Sequence, residues 1–212
     1  GPIAWSNDGK HLLVQNYISI TNSKVYLVDL ETKDKTLILG NLAEPSVNSG
    51  LAFDATNAGV FFTTDTFAEF NQLAHKNLVT GEVTIISQNI NWDVDGFAIS
   101  SDGKRAAFKV NENGFSALYL LNTQTLQYQQ VEDLPIGLVG GMQFNESGSQ
   151  LGLSLNTYQS PSDTYTLALS RNPLRHKDLV RWTQSEVGGL DTSTFVEPQL
   201  ITYPTFDNRN IP

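Results

Sequence analysis

Between residues 97 and 131 the chain runs Phe97-Ala98-Ile99-Ser100-Ser101-Asp102-Gly103-Lys104-Arg105-Ala106-Ala107-Phe108-Lys109-Val110, then Asn111-Glu112-Asn113-Gly114, then Ala117-Leu118-Tyr119-Leu120-Leu121, then Asn122-Thr123-Gln124-Thr125, and ends on Gln127 to Val131. Phe97 to Ser100 is a short apolar-rich strand. Ser101 to Lys104 supplies a turn whose glycine tolerates positive φ, and Arg105 to Val110 returns as a second strand. The second turn cluster, Asn111 to Gly114, leads into a third strand that is apolar at every position and so reads as buried on both faces. After Asn122 to Thr125 the segment Gln127 to Val131 is a fourth. Four short strands joined by tight turns make one antiparallel meander.

That grammar recurs. Glycine-centred turns stand at Gly9, Gly59, Gly103 and Gly148, at intervals of 50, 44 and 45 residues. Each has an apolar residue a few positions upstream: Trp5, Phe53, Ile99 and Phe144. Tyr26, Tyr119 and Tyr165 follow Gly9, Gly103 and Gly148 by 17, 16 and 17 residues. The second unit is the most altered, with Ala58 before its glycine and His75 and Lys76 in its third strand. In the fourth, Ser160 to Asp163 reads as a polar loop before Tyr165 to Leu169. A repeat of this length holding four strands is the pattern of a β-propeller blade. The expected fold class is therefore all-β, a β-propeller with blades over about 3–40, 50–87, 93–132 and 138–170. Residues 1–171 form the propeller, and 172–212 a last propeller segment and linker. Four blades with a trailing segment lead to the expectation of an incomplete arc of a larger ring. Such an arc exposes two apolar blade faces, through which self-association is expected.

Composition narrows the partners. The 212 residues carry 13 Lys+Arg against 22 Asp+Glu, a formal charge of −9, and 40% are hydrophobic. This is the profile of a folded globular chain, and the scattered basic residues would not hold a phosphate backbone, so no nucleic acid partner is expected. No apolar run reaches the ~18 residues of a membrane-spanning helix, so no membrane partner is expected. With no cysteine in the sequence there is no disulfide, thiol nucleophile or cysteine-ligated zinc. Cytosol and periplasm are both compatible with that.

The run Asp93 to Lys104, with Asn111 to Gly114 and Leu118 to Leu121, resembles the propeller of prolyl-oligopeptidase-family serine peptidases, including acylaminoacyl-peptidase and dipeptidyl-peptidase relatives. The Asp-Gly-Lys turn is shared with TolB-like propellers. More specific are Arg181 to Asp191, Val196 to Ile201 and Tyr203 to Pro212. In that family such a segment leaves the last blade and enters an α/β-hydrolase domain. The resemblance implies a propeller that caps the hydrolase and restricts peptide access to its Ser-Asp-His triad. The partners it implies are the chain's own hydrolase domain in a longer parent protein and that protein's peptide substrates. Asn208 stands where the family commonly has glycine. A free-standing TolB-like propeller that binds a protein or peptide is the alternative.

Within this chain no serine has glycine two residues away on both sides, so no nucleophile elbow is encoded and no catalytic residue is assigned. No cofactor or metal site is assigned either. His11, His75 and His176 lack diagnostic spacing and read as structural or surface residues. Asp93-Val94-Asp95-Gly96 has the start of a calcium loop but not its distal glutamate, and reads as a polar entry to an inner strand. Trp5, Trp92 and Trp182 read as blade packing, and the Tyr158 to Asp163 loop as a solvated connection.

Overall fold

The computed structural model describes residues 1–208 and 210–211. Blade one contains β1 (Pro2–Trp5), β2 (His11–Ser19), β3 (Asn22–Asp29) and β4 (Lys35–Leu39); blade two contains β5 (Asn48–Phe53), β6 (Gly59–Thr64), β7 (Gln72–Asn77) and β8 (Val83–Ile85). Blade three contains β9 (Val94–Ile99), β10 (Arg105–Glu112), β11 (Phe115–Asn122) and β12 (Tyr128–Gln130). Blade four contains β13 (Gly137–Phe144), β14 (Gln150–Thr157), β15 (Ser160–Leu169) and β16 (His176–Arg181). Each blade is a four-stranded antiparallel sheet with its strands in chain order, so the propeller architecture and the meander are as expected. Two readings of the fourth blade change. Ser160 to Asp163 is not a loop but the first part of β15, because Thr157 pairs with Ser160 and only Tyr158 and Gln159 make the turn. The outer strand comes from His176–Arg181, beyond the expected blade limit at residue 170.

The backbone also corrects the repeat. Gly9, Gly103 and Gly148 have φ of +70°, +67° and +65°, and in blade two the matching residue is Asn57 at +61°, not Gly59. Its amide donates to Asp54 as the Gly9, Gly103 and Gly148 amides donate to Ser6, Ser100 and Asn145. Asparagine tolerates this left-handed conformation better than any other non-glycine residue, which is why a glycine search slips by two positions. On this register the turns recur at 48, 46 and 45 residues. The acid is also not lost from blade two. In blades one and three Ser6 and Ser100 donate to Asp8 and Asp102, whose carboxylates also accept from the Lys10 and Lys104 amides. In blade two acid and hydroxyl have exchanged places, and Thr56 donates to Asp54.

Strand alternation then assigns faces. Three and five residues after each turn residue stand Leu12 and Val14, Val60 and Phe62, Ala106 and Phe108, Leu151 and Leu153. In blades two to four these side chains are no more than 3% exposed and pack on the blade before. Residues one position further along, Leu13, Phe61 and Ala107, pack on the blade after. The result is three apolar cores, one at each blade-to-blade contact. Leu13, Val25 and Leu39 meet Val60, Phe62 and Ala74; Phe61 and Leu73 meet Phe108 and Tyr119; Leu118 and Leu120 meet Leu151 and Leu153. Among the described residues no fourth core joins blade four back to blade one, and the four blades make an arc.

The two outer faces of that arc differ, contrary to the expectation of two apolar ends. On blade one, Trp5, Leu12, Val14, Tyr26, Val28 and Leu37 share the free face by register. On blade four the corresponding face carries Gln143, Gln150, Gly152, Ser154, Thr164 and Thr166. These residues, with Met142, Phe144 and Leu153, line an open groove of about 640 Å³.

Equivalent positions should therefore respond unequally to truncation. Phe108→Ala, at a fully buried ring stacked 4.9 Å from Tyr119, is expected to cost about 3–5 kcal/mol in urea unfolding, and Val14→Ala about 1 kcal/mol or less. Glycine turns should also separate. Both Gly9→Ala and Gly103→Ala strain a left-handed residue by about 1 kcal/mol. Only at Gly103 does the new Cβ meet Ala55 at 2.8 Å, so that variant should lose clearly more stability in the same measurement.

Candidate functional site

On one rim of the arc the first turns of consecutive blades reach one another. The Asn7 amide donates to Asn57 and the Asn7 side chain to the Asp54 carbonyl, while the Ser101 hydroxyl donates to the Glu146 carbonyl. Gly103 lies against Ala55, and Gly148 against Ser100. Here the first turns of consecutive blades touch, in a polar band rich in Asp, Asn and Lys.

The opposite rim carries the hairpins between second and third strands and the chain beyond β16. Its anchor is Asp163, whose side chain is fully buried on β15. Arg181 Nη2 donates to Asp163 Oδ2 at 2.6 Å; the Thr183 hydroxyl, the Ser185 amide and the Ser185 hydroxyl donate to Oδ1 at 2.7, 3.0 and 3.0 Å. The Thr183 bond above all, then Arg181 and Ser185, hold this carboxyl below the usual range, against the opposing effect of burial. Backbone pairing continues past the strand, with Trp182 N donating to the Thr164 carbonyl at 2.9 Å and Thr164 N to the Thr183 hydroxyl at 2.9 Å. The chain is thus fastened as it leaves the sheet.

From this latch the tail turns back over the rim. Val187, Leu190 and Phe195 face Tyr158 and Pro161 of the blade-four hairpin across a mainly apolar cleft of about 300 Å³. Further on, Leu200 lines a second cleft with Asn113 and Phe115 of blade three and Ile136 of the connection to blade four. Between them Asp191 caps a short 3-10 turn, Thr192–Thr194, by accepting from the Ser193 amide. Near the end β17 (Tyr203–Pro204) pairs with β18 (Asn210–Ile211). Asn208, which replaces the glycine common in the resembled family, takes a φ of +61°, a conformation asparagine can adopt. Arg209 and Pro212, quoted within that resemblance, lie outside the described residues. The same rim carries exposed apolar side chains at the blade-one hairpin, Tyr17, Ile18 and Ile20, and at Phe67.

The residues singled out from sequence are dispersed rather than gathered. His11 lies 3.7 Å from Asp29, His75 is 3.0 Å from Asp54 and tilts against Phe61, and His176 meets its neighbour's carbonyl. Asp93 accepts from the Asn71 amide at 2.6 Å, and Asp95 pairs with Lys109 at 2.9 Å, so both acids serve blade geometry. Trp92 packs near Phe70 at the contact of blades two and three. Trp5 and Trp182 are 62% and 67% exposed, so neither fills a core. Asp163 went unrecognised because an acid in a polar run looks solvated. The available signal was the hydroxyl pair Thr183 and Ser185 beside Arg181, which only β15 brings within reach.

The folded-state pKa of Asp163 is depressed, so its stabilisation is present above the unfolded value of about 3.9 and is lost as pH falls below that through the lowered folded value. Amide exchange at residues 182–187 should therefore accelerate on acidification below about pH 4, ahead of the blade cores. Asp163→Asn should release the same segment at neutral pH, read as faster tryptic cleavage after Arg181 with the main unfolding transition retained.

No protein-family model matches the chain, and no curated protein matches it in sequence. Solved structures do. Over 97% of this chain and 29% of the other, it superposes on a chain from a study of two prolyl endopeptidases with a TM-score of 0.78 at 15% identity. Prolyl oligopeptidase B from Galerina marginata gives 0.77 at 14% identity over 98% of this chain and 30% of the other. TolB from Acinetobacter baumannii gives 0.61 at 15% identity over 88% of this chain and 43% of the other. The chain spans under a third of the prolyl oligopeptidase chains it resembles, and at these identities the likeness is one of propeller fold.

Proposed function

We propose that this chain is the non-catalytic propeller part of a serine peptidase of the prolyl oligopeptidase type, seated on a hydrolase domain and restricting peptide access to it. The observation that carries this reading is the fastened tail. Asp163 holds residues 181–185 against blade four, and the chain beyond is laid along one rim toward blade three. A segment so anchored leads the polypeptide away on the rim that also exposes Tyr17, Ile18, Ile20 and Phe67, a surface suited to cover by another domain. On the rim of Asp-Gly turns, Asn7 and Ser101 are bonded to the next blade. The likeness to prolyl oligopeptidases takes in nearly all of this chain, tail included, whereas the TolB likeness leaves out about an eighth of it. This coverage supports the peptidase reading over a free-standing TolB-like propeller that binds a protein or peptide.

On this reading substrate filtering is steric. The arc supplies a wall of stacked blades, and the triad belongs to the hydrolase domain of the parent protein. Sequencing the encoding gene beyond the codon for Pro212 tests it. A following α/β-hydrolase with a G-x-S-x-G elbow is expected, and an open reading frame that ends without one sinks the proposal in favour of the TolB-like binding module.

A further inference from the structure

Charge in this chain is sorted between the two rims. The connections on the rim of Asp-Gly turns hold seven acids, and Lys10, Lys33, Lys104, Arg171 and Arg175 offset five of them. On the opposite rim, the connections from β2 to β16 hold Glu44, Asp65, Glu69, Asp93, Glu132 and Asp133 with no Lys, Arg or His. Residues 182–208, which leave the sheet on that rim, add four acids and again no base. The strand bases nearest to it are already engaged: Lys109 with Asp95 at 2.9 Å and Arg181 with Asp163 at 2.6 Å, while Lys24 is only 8% exposed. The formal charge of −9 is therefore concentrated on one rim.

A second observation on the same rim points to what these acids meet. Among the described residues two buried side-chain polar atoms lack a hydrogen-bond partner: Asn22 Oδ1 beside the β2–β3 hairpin and Asn71 Oδ1 at the end of the β6–β7 connection. Both are acceptors. A buried acceptor without a donor is costly, so both suit a ligand that brings N–H groups. Asn71 lines a cleft of about 290 Å³ between blades two and three with Ser49, Thr63 and Asp95. The same rim exposes Tyr17, Ile18, Ile20, Leu42 and Phe67. Among the described residues no three acidic or histidine side chains converge as metal ligands, and the acids are strung along the arc, so the match is to an extended cation and not to a metal ion.

We propose that this rim binds an extended cationic peptide, whose Lys or Arg side chains meet the carboxylates, whose N–H groups supply the missing donors and whose apolar residues lie on the exposed aromatic and aliphatic side chains. Attraction of this kind speeds encounter and is screened by salt. Naming that peptide as the substrate class admitted to the hydrolase domain rests on the peptidase reading; the sorting of charge does not.

Fluorescence anisotropy of the purified chain tests it, with a labelled lysine-rich peptide and a counterpart in which every lysine is glutamate. The lysine peptide is expected to bind about tenfold more tightly or better, and its affinity to fall steeply as NaCl rises from about 50 to about 500 mM. Glu69→Lys combined with Glu132→Lys, at exposed acids of this rim, should weaken binding by about tenfold or more. Glu31→Lys combined with Glu82→Lys makes the same change in net charge on the other rim and should leave binding within about twofold. Circular dichroism of both pairs controls for folding, and the peptide and salt comparisons depend on no variant. Absence of binding, equal affinity for the two peptides, indifference to salt or equal loss in both pairs of variants overturns the proposal. The peptidase reading stands or falls separately, on the gene beyond Pro212; without a hydrolase there, a peptide bound at this rim is a partner and not a substrate.

Discussion

Everything in this structure depends on burying each sheet twice. A β-strand sends alternate side chains to opposite faces, so a blade whose inner strands carry apolar side chains on both faces cannot satisfy itself with one neighbour. Ala117 to Leu121 on β11 show the constraint most directly. Tyr119 and Leu121 reach back to blade two while Leu118 and Leu120 reach forward to blade three's other neighbour, and all five residues are buried. The blades are therefore not independent units, and each core is owned jointly by two of them.

Polar groups within and between blades are arranged to fit this stacking. Asn48, 3% exposed at the contact of blades one and two, exchanges hydrogen bonds with Ser23 through its backbone and accepts from Thr64 through its side chain. Gln15 adds a bond to the Asn48 carbonyl. His75 and Asp54 satisfy each other where Gly59 leaves room; a Cβ there would lie 2.2 Å from His75 Nε2. A buried polar atom without such a partner costs roughly 1–3 kcal/mol, so these pairs are conditions for the apolar packing around them.

The two rims acquire different characters from the same meander. Turns between first and second strands touch their neighbours in a polar band, while the rim of second-to-third-strand hairpins carries exposed apolar residues and the tail. Asp163 joins these levels. Placed on β15 facing blade three's side of the sheet, it draws Arg181, Thr183 and Ser185 onto one carboxylate and so fixes the direction in which the chain leaves the blade.

The sequence by itself determined the fold class, the number of repeats, most strand positions and the Asp-Gly turn chemistry, because these are local: a left-handed residue, an adjacent carboxylate and alternating apolar side chains are all readable within a dozen residues. It also carried the family resemblance of the tail. What only the tertiary structure decided depends on register across strands. Sequence does not say that Asn57 rather than Gly59 occupies the turn, since both are small polar-turn residues two positions apart. Nor does it distinguish Leu13, which packs on blade two, from Leu12 and Val14, which lie on the opposite face and outside the three cores of the described residues; all three are equally apolar, and their fates are set by the side on which the next sheet arrives. The same holds for Asp163, indistinguishable from a solvated acid until β15 extends to Ser160 and β16 brings its three partners within hydrogen-bonding distance. Local chemistry chose the blade, and long-range pairing chose which of its faces and groups remained available.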